Sequence, residues 1–221
     1  PACGAHVEQR GAHIFCTNSL SCAPQIAGRL AHYASRDAMD IDTFSEKTAA
    51  LLVEEMQLKS IPDLYDMTAE DFAGLPGFKE KKTGNLIAAI ENSKDCSLGA
   101  FVYAIGIPNV GSKTARDLAR HFGSLDAIRS ASMEELTAVQ DVGEIVAESI
   151  MDFFADSSIS AQVDRLLAHG VSPRPEEAQQ QSPITGKTVV VTGTLPTLDR
   201  REAEAMIERL GGKAAGSVSK K

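Results

Sequence analysis

The chain has 221 residues, 43% of them hydrophobic and 24% charged, an ordinary globular composition with room for more than one small domain. No apolar run approaches the ~18 residues that a spanning helix needs, and nothing resembles a signal peptide. A net charge of −8 argues on its own against nucleic acid, whose binders usually carry a basic footprint. Residues 184–221, however, hold seven Lys/Arg against four Asp/Glu, so the charge is uneven.

Residues 1–25 lack a periodic apolar pattern and are rich in Cys, His, Gly and Asn, too little to bury a core. Cys3, Cys16 and Cys22 cluster there, and without a secretion signal such clustering favours a metal over disulfides. Thiolates suit a structural zinc ion, which wants four ligands. His6, His13 or a cysteine just before Pro1 would complete the set. The last is favoured, because Pro1-Ala2-Cys3-Gly4 reads like the tail of a Cys-Pro-x-Cys-Gly knuckle; three unrelated thiols is the plainer alternative. Cys96, alone, reads as a simple thiol, and His32, His121 and His169 as packing or surface residues.

From residue 26 to about 169 the pattern is helical, with short amphipathic segments such as 48–56, 83–92 and 115–122. Four segments within it align: Ile41-Asp42-Thr43-Phe44-Ser45-Glu46-Lys47, Leu75-Pro76-Gly77-Phe78-Lys79-Glu80-Lys81, Ile107-Pro108-Asn109-Val110-Gly111-Ser112-Lys113 and Val139-Gln140-Asp141-Val142-Gly143-Glu144-Ile145. Each has an apolar residue, two turn formers, a second apolar residue and a small or polar residue opening a helix. Ala49, Thr83, Ala115 and Ala147 occupy matching places in the next helix, where a small side chain permits close packing. The unit is a helix, a tight hairpin and a helix, repeated four times.

The turns are expected to place Gly77, Gly111 and Gly143 in unusual backbone conformations, with Asn109 and Asp141 as the next most tolerant residues. The helix that follows exposes unpaired N–H groups at the positive end of its dipole, a natural phosphate site. The predicted DNA-contacting set is Gly77, Phe78, Lys79, Lys81, Asn109, Gly111, Ser112, Lys113, Thr114 and Gly143, holding the DNA backbone without reading bases. Thr43 and Ser45 stand where the first repeat would have glycines, so that copy reads as structural. Ile145 replaces the lysine of the others, leaving the fourth hairpin backbone donors alone. A helical solenoid with glycine-containing connectors is the plainer alternative. Gly106-x4-Gly111-Ser112-Lys113 is not a P-loop, since Ser stands where Lys must be.

Residues 170–183, with three prolines, read as an exposed linker. Residues 187–192 (KTVVVT) read as a buried strand, and a helix from about 200 to 210 ends at Gly211-Gly212.

Together these residues resemble one family, the bacterial NAD-dependent DNA ligases. Cys3-Gly4, Cys16-Thr17-Asn18 and Cys22 with Gln25 are similar to its four-cysteine zinc finger. The run 32–41 is similar to the signature joining that finger to the helix-hairpin-helix domain. Asp63-Leu64-Tyr65, Leu75-Pro76-Gly77-Phe78 and Gly106-Ile107-Pro108-Asn109-Val110-Gly111 resemble its hairpins in order. Residues 186–195, 210–213 and 217–221 are similar to the first half of its BRCT domain. Ala23-Pro24 inverts the usual order after the last zinc cysteine, and the family's first zinc cysteine would fall before Pro1.

The resemblance implies a mainly α chain. A small zinc finger (1–25) would precede a tandem helix-hairpin-helix domain (26–169), a linker (170–183) and a truncated α/β BRCT domain (184–221). It implies a non-catalytic, DNA-binding portion of the ligase that grips nicked duplex during replication and repair. Structural zinc would be held by Cys3, Cys16 and Cys22. In BRCT domains, positions similar to Thr192, Gly193 and Arg200 can cradle a phosphate, with strand-end packing as the other reading. The intact family enzyme uses NAD and Mg²⁺ around a Lys-x-Asp-Gly motif. This chain contains no Asp-Gly, so the piece is expected to be inactive alone, monomeric and cytoplasmic, with no membrane partner. A repair scaffold using BRCT for protein contacts, or the DNA-binding region of a structure-specific nuclease, are the competing classes; no convincing acidic metal cluster favours the nuclease.

Overall fold

The computed structural model describes residues 2–18, 20–176, 182–193, 195, 197–198 and 200–216. It divides into two compact units, residues 1–176 and 177–221. As read from the sequence, the chain is mainly helical, with a few short strands in each unit.

The first unit opens with an antiparallel hairpin of β1 (Val7–Arg10) and β2 (His13–Cys16). Cys22 caps helix α1 (Ala23–Tyr33), whose first turn contains Pro24, a residue well suited to a helix start. Helix α2 (Glu46–Glu55), 3₁₀ turns at Ile61–Asp66 and Ala69–Phe72, and α3 (Glu80–Asn92) follow. Strand β3 (Asp95–Ser97) leads into α4 (Leu98–Ala104), α5 (Ser112–Phe122), α6 (Leu125–Ser130), α7 (Met133–Thr137), α8 (Glu144–Ala155) and α9 (Ser157–Ala168).

These helices are too short to stand alone in water, so packing of their apolar stripes holds them. One core runs through the unit, with Leu30, Tyr33, Leu52, Leu64, Phe72, Leu86, Phe101, Leu118, Leu136 and Ile150 essentially inaccessible. Its buried polar groups are paired. The Tyr33 and Tyr65 hydroxyls lie 2.8 Å apart, Tyr65 meets the Ser93 hydroxyl at 2.9 Å, and Ser93 donates to the Ile90 carbonyl at 2.7 Å. This chain of hydroxyls ties α1, the 61–66 turn and the end of α3 together. Burial, then the neighbouring Tyr65, pushes the Tyr33 hydroxyl well above its ordinary pKa.

The close crossing of α4 and α5 depends on Gly99. A Cβ there would lie 2.8 Å from Arg116 Cγ, 3.0 Å from Arg116 Cα and 2.6 Å from Glu176 Oε1. The expected linker begins later than residue 170. Strand β4 (Ser172–Arg174) pairs in parallel with β3, Ser172 N–H donates to the Lys94 carbonyl at 2.7 Å, and Arg174 meets Asp95 at 2.6 Å. Val171 is buried beneath it. Pro173 is compatible because a two-stranded pair has only edges, where a missing N–H costs little. Residues 177–181 of that stretch lie outside the described residues.

In the second unit β5 (Thr188–Val190), α10 (Arg200–Arg209) and β6 (Lys213–Ala215) form a parallel β-α-β arrangement. Ala203 and Ile207 form the buried stripe of α10. Gly211, with φ of +78°, ends that helix as expected. The strand read as buried is shorter than residues 187–192 and only half-buried, because a single neighbouring strand covers it among the described residues.

Candidate nucleic-acid interface

All four hairpins share one backbone pattern. The fourth residue returns an N–H to the first residue's carbonyl: Phe44 to Ile41 (3.3 Å), Phe78 to Leu75 (3.1 Å), Val110 to Ile107 (3.2 Å) and Val142 to Val139 (3.1 Å). The third residue is left-handed in every copy, with φ of +66° at Thr43, +77° at Gly77, +64° at Asn109 and +65° at Asp141. The fifth residue is the extended N-cap of the following helix: Ser45, Lys79, Gly111 and Gly143. The first full helical bond then runs from Ala49, Thr83, Ala115 and Ala147 back to these caps at 2.9–3.0 Å. Those four small residues are all buried, as their matching positions indicated.

Two expectations need correction. Gly111 and Gly143 are not the left-handed residues; their φ values of −84° and −94° suit any amino acid. Both are exposed, and a Cβ at either would meet nothing within 4 Å. Their glycines answer no demand of the fold and instead leave the helix mouth bare. Phe78, read as a DNA contact, points inward. It is buried, packs 5.0 Å from the Phe72 ring and lies beneath the Lys82 ammonium at 4.0 Å. The hairpin bond that brings its N–H back to Leu75 turns its side chain into the core.

The helix mouths differ in what occupies them. Ser45 Oγ accepts from the Thr48 N–H at 3.2 Å, so the first hairpin satisfies one of its own donors. Lys79, Gly111 and Gly143 provide no side-chain cap. The first turn of α3 carries Glu80 and that of α8 carries Glu144, whereas the first turn of α5 has no acidic residue. Of the three uncapped mouths, only that of α5 has no acidic residue in its first turn, although Asp117 and Asp141 flank its Lys113. Gly77, Lys79, Lys81 and Asn109 are exposed with it, and Ser112 and Thr114 are partly so. Ile145 is 72% exposed beside Gly143, a bare apolar side chain at a helix start.

The third and fourth hairpins are joined turn to helix. Asn109 Nδ2 donates to Ser149 Oγ at 2.8 Å, and Lys113 Nζ meets Asp141 at 2.6 Å and Asp117 at 2.8 Å. The hydrogen bonds to Asp117 and Asp141 raise the pKa of Lys113. Because the partners in the Lys113–Asp141 and Asn109–Ser149 contacts lie 28 and 40 residues apart, local pattern in the sequence does not show them.

The cysteine cluster forms as expected. The sulfurs of Cys3, Cys16 and Cys22 all lie within 4.8 Å of one another, with Cys3 and Cys16 at 3.5 Å. Tetrahedral zinc with sulfur at ~2.3 Å sets ligand sulfurs about 3.8 Å apart, so three corners fit. Among the described residues neither His6 nor His13 joins the group. The Ala5 N–H, then the Cys16 sulfur, draws the Cys3 thiol down to about 7, and Cys22 sits at a helix N-terminus, where negative charge is favoured. Gln25 fastens this finger to α1 by donating to the Cys16 and Asn18 carbonyls. Cys96 is buried away from the cluster, and burial pushes its thiol up to about 12.

In the second unit Thr192 and Gly193 are exposed just past β5. Arg200 donates to the Gly216 carbonyl, just past the paired end of β6, at 3.3 Å and also meets Glu204 at 3.2 Å. The three candidate residues thus belong to one end of the β5–β6 pair.

Residues 100–163, which span the third and fourth hairpins, match the helix-hairpin-helix motif family, and residues 179–221 match the BRCA1 C Terminus (BRCT) domain family. Along its whole length the chain is 57% identical to a protein named DNA ligase from Alkaliphilus oremlandii, 52% to one from Alkaliphilus metalliredigens and 51% to one from Clostridium novyi. It spans about a third of the length of these curated relatives, 33%, 34% and 33% respectively. Among the described residues no helix is long and apolar enough to cross a membrane.

Proposed function

We propose that the chain is the DNA-holding segment of a bacterial NAD-dependent DNA ligase, gripping nicked duplex by its phosphates while another part of the enzyme seals the break. The observation that carries this reading is the pair of joined hairpins at Gly111 and Gly143. Both open helices whose N-caps are extended, side-chain-free and open to solvent. Such mouths offer main-chain donors at fixed spacing to two points on a duplex backbone, independent of base sequence. They also explain how a chain of net charge −8 can hold DNA, since the donors are dipolar and the lysines local.

Lys79, Lys81 and Gly77 of the second hairpin extend the grip. Ser112, Lys113 and Thr114 line the third, where the first helical turn carries no acidic residue. At the fourth, Ile145 replaces charge with an apolar surface suited to the sugar edges of a minor groove. The first hairpin, self-capped by Ser45, positions α1 and α2. Zinc held by Cys3, Cys16 and Cys22, with one further ligand, would lock the finger against α1 and supply structure, not chemistry. Thr192, Gly193 and Arg200 are assigned to a phosphate at the open end of the β5–β6 pair.

With no Lys-x-Asp-Gly in its 221 residues, the chain holds DNA but performs no adenylation or sealing by itself. NAD and Mg²⁺ belong to steps outside it. It acts as a cytoplasmic monomer in replication and repair. Binding of the purified chain to nicked duplex, intact duplex and single strand tests this. Binding to both duplexes, tighter to the nicked one, and weakly to single strand is expected. Equal binding to single strand would contradict duplex recognition.

A further inference from the structure

One cleft in the first unit is explained neither by the core nor by the helix mouths. Of about 380 Å³, it lies between α1 and the entry to the third hairpin. Gln25, Gly28, Arg29 and His32 form one wall; Gly106, Ile107 and Val110 contribute to the other, and no carboxylate lines it. His32 is already used, meeting the Tyr103 carbonyl at 2.8 Å. Gln25 is used as well, by the carbonyls of the finger.

Arg29 is different. Among the described side chains it has no hydrogen-bond or ion-pair partner, whereas every other arginine whose side chain is described interacts with a neighbouring group. It is nevertheless partly buried, and desolvation alone lowers its pKa. Removing a guanidinium from water without compensation is unfavourable, so a fold that does so has reserved the group for an anion absent from the chain itself. Gly28 supports the same conclusion. A helix-interior glycine is less favourable than alanine, yet no neighbour requires it here: a Cβ would meet nothing within 4 Å. Bare backbone beside a lone arginine permits close approach of a large anion.

We infer that Arg29, with the bare backbone at Gly28, binds a phosphodiester of the DNA strand held at the third hairpin. The proposal rests on the duplex-holding reading above. The third hairpin forms one wall of the cleft, so a strand gripped at the α5 N-terminus passes beside it. A guanidinium fork suits a phosphate better than an ammonium, through two parallel N–H donors.

The test compares the wild-type chain with Arg29→Gln and Arg29→Lys. Each is measured for duplex binding across salt concentrations, for thermal unfolding with and without inorganic phosphate, and on duplexes carrying one neutral methylphosphonate at successive positions. Arg29→Gln is expected to weaken binding about ten-fold regardless of sequence and to make the log-log salt slope shallower by about one. Its Tm should be unchanged or higher, because an uncompensated charge has been removed. Arg29→Lys should recover part of the affinity. At one or two methylphosphonate positions the wild type and Arg29→Gln should become equal.

A wild type that binds duplex while Arg29→Gln matches it in affinity and slope would overturn the inference and leave the duplex-holding reading intact. A lower Tm in Arg29→Gln with no binding change in the folded protein would make Arg29 structural. If Arg29→Gln only abolishes stabilisation by inorganic phosphate, the site takes a free anion and the DNA assignment falls. A wild type with no duplex affinity would overturn the duplex-holding reading as well.

Discussion

Lys113 Nζ lies 2.6 Å from Asp141 Oδ2, so the turn of the fourth hairpin holds the lysine of the third. Both side chains are more than half exposed, which makes the pair worth little to stability. Its consequence is electrostatic. Lys113 is shared in the free protein between two carboxylates, and on the duplex-holding proposal a phosphate would have to compete with them.

Replacing Asp141 with Asn keeps a residue tolerant of the left-handed turn and removes one competitor. Duplex affinity at low salt should rise by a few-fold, with a change in Tm of no more than about 1–2 °C. Lys113→Met should lower affinity on every sequence and reduce the salt slope by about one. The pH sign follows from the raised pKa of Lys113. The pair is fully formed below the unfolded value of about 10.4 and is lost only as pH rises through the folded one. Between about pH 6 and 9, Lys113 should therefore contribute no pH dependence to binding.

Thr43 carries a φ of +66°, a left-handed conformation that a β-branched residue adopts at a cost. Thr43→Gly should stabilise the chain by about 1 kcal/mol, a rise in Tm of roughly 2–4 °C. DNA affinity should not change, because the first hairpin caps its own helix. A loss of affinity on this substitution would show that the first hairpin is a contact.

Gly99→Ala should be costly. The new methyl would press on Arg116 Cα, which is backbone and cannot rotate away. Forcing α4 from α5 should destabilise the chain by about 1–3 kcal/mol, measured by denaturant unfolding. Affinity should fall with it, since these two helices flank the third hairpin.

The finger and the repeats should respond differently to a chelator. Its three sulfurs sit outside the helical core, so metal removal or Cys3→Ser should loosen residues 2–22 while the main thermal transition persists. Hydrogen exchange by segment reads this directly. Collapse of the whole unit would mean that the metal supports the hairpins as well.

The repeat was legible in sequence because four copies present the same apolar, turn and cap types in phase. What each glycine does was not. Gly77 serves a left-handed turn, whereas Gly111 and Gly143 are extended helix caps with open space beside them, and composition cannot separate the two. Thr43 hid the left-handed position further, being a residue type that rarely occupies it. Phe78 was misplaced because proximity to the turn says nothing of side-chain direction. Ser172, Pro173 and Arg174 looked like linker because their strand character comes entirely from pairing with residues 95–97. The cysteine cluster was visible from residue type and spacing. The solitary state of Arg29, by contrast, depends on what surrounds it in three dimensions.

On the duplex-holding proposal, the bare helix mouths at Gly111 and Gly143 hold phosphates by main-chain donors. The most direct measurement is duplex affinity across salt, on several unrelated sequences, for the wild type and for Gly111→Val with Gly143→Val. Their extended backbone accepts valine, so the fold should survive. Affinity should fall by at least about ten-fold, equally on every sequence, with a slope shallower by about two if two phosphates are lost. A folded double variant that binds as the wild type does, or loses affinity for one sequence alone, would contradict backbone recognition at these hairpins.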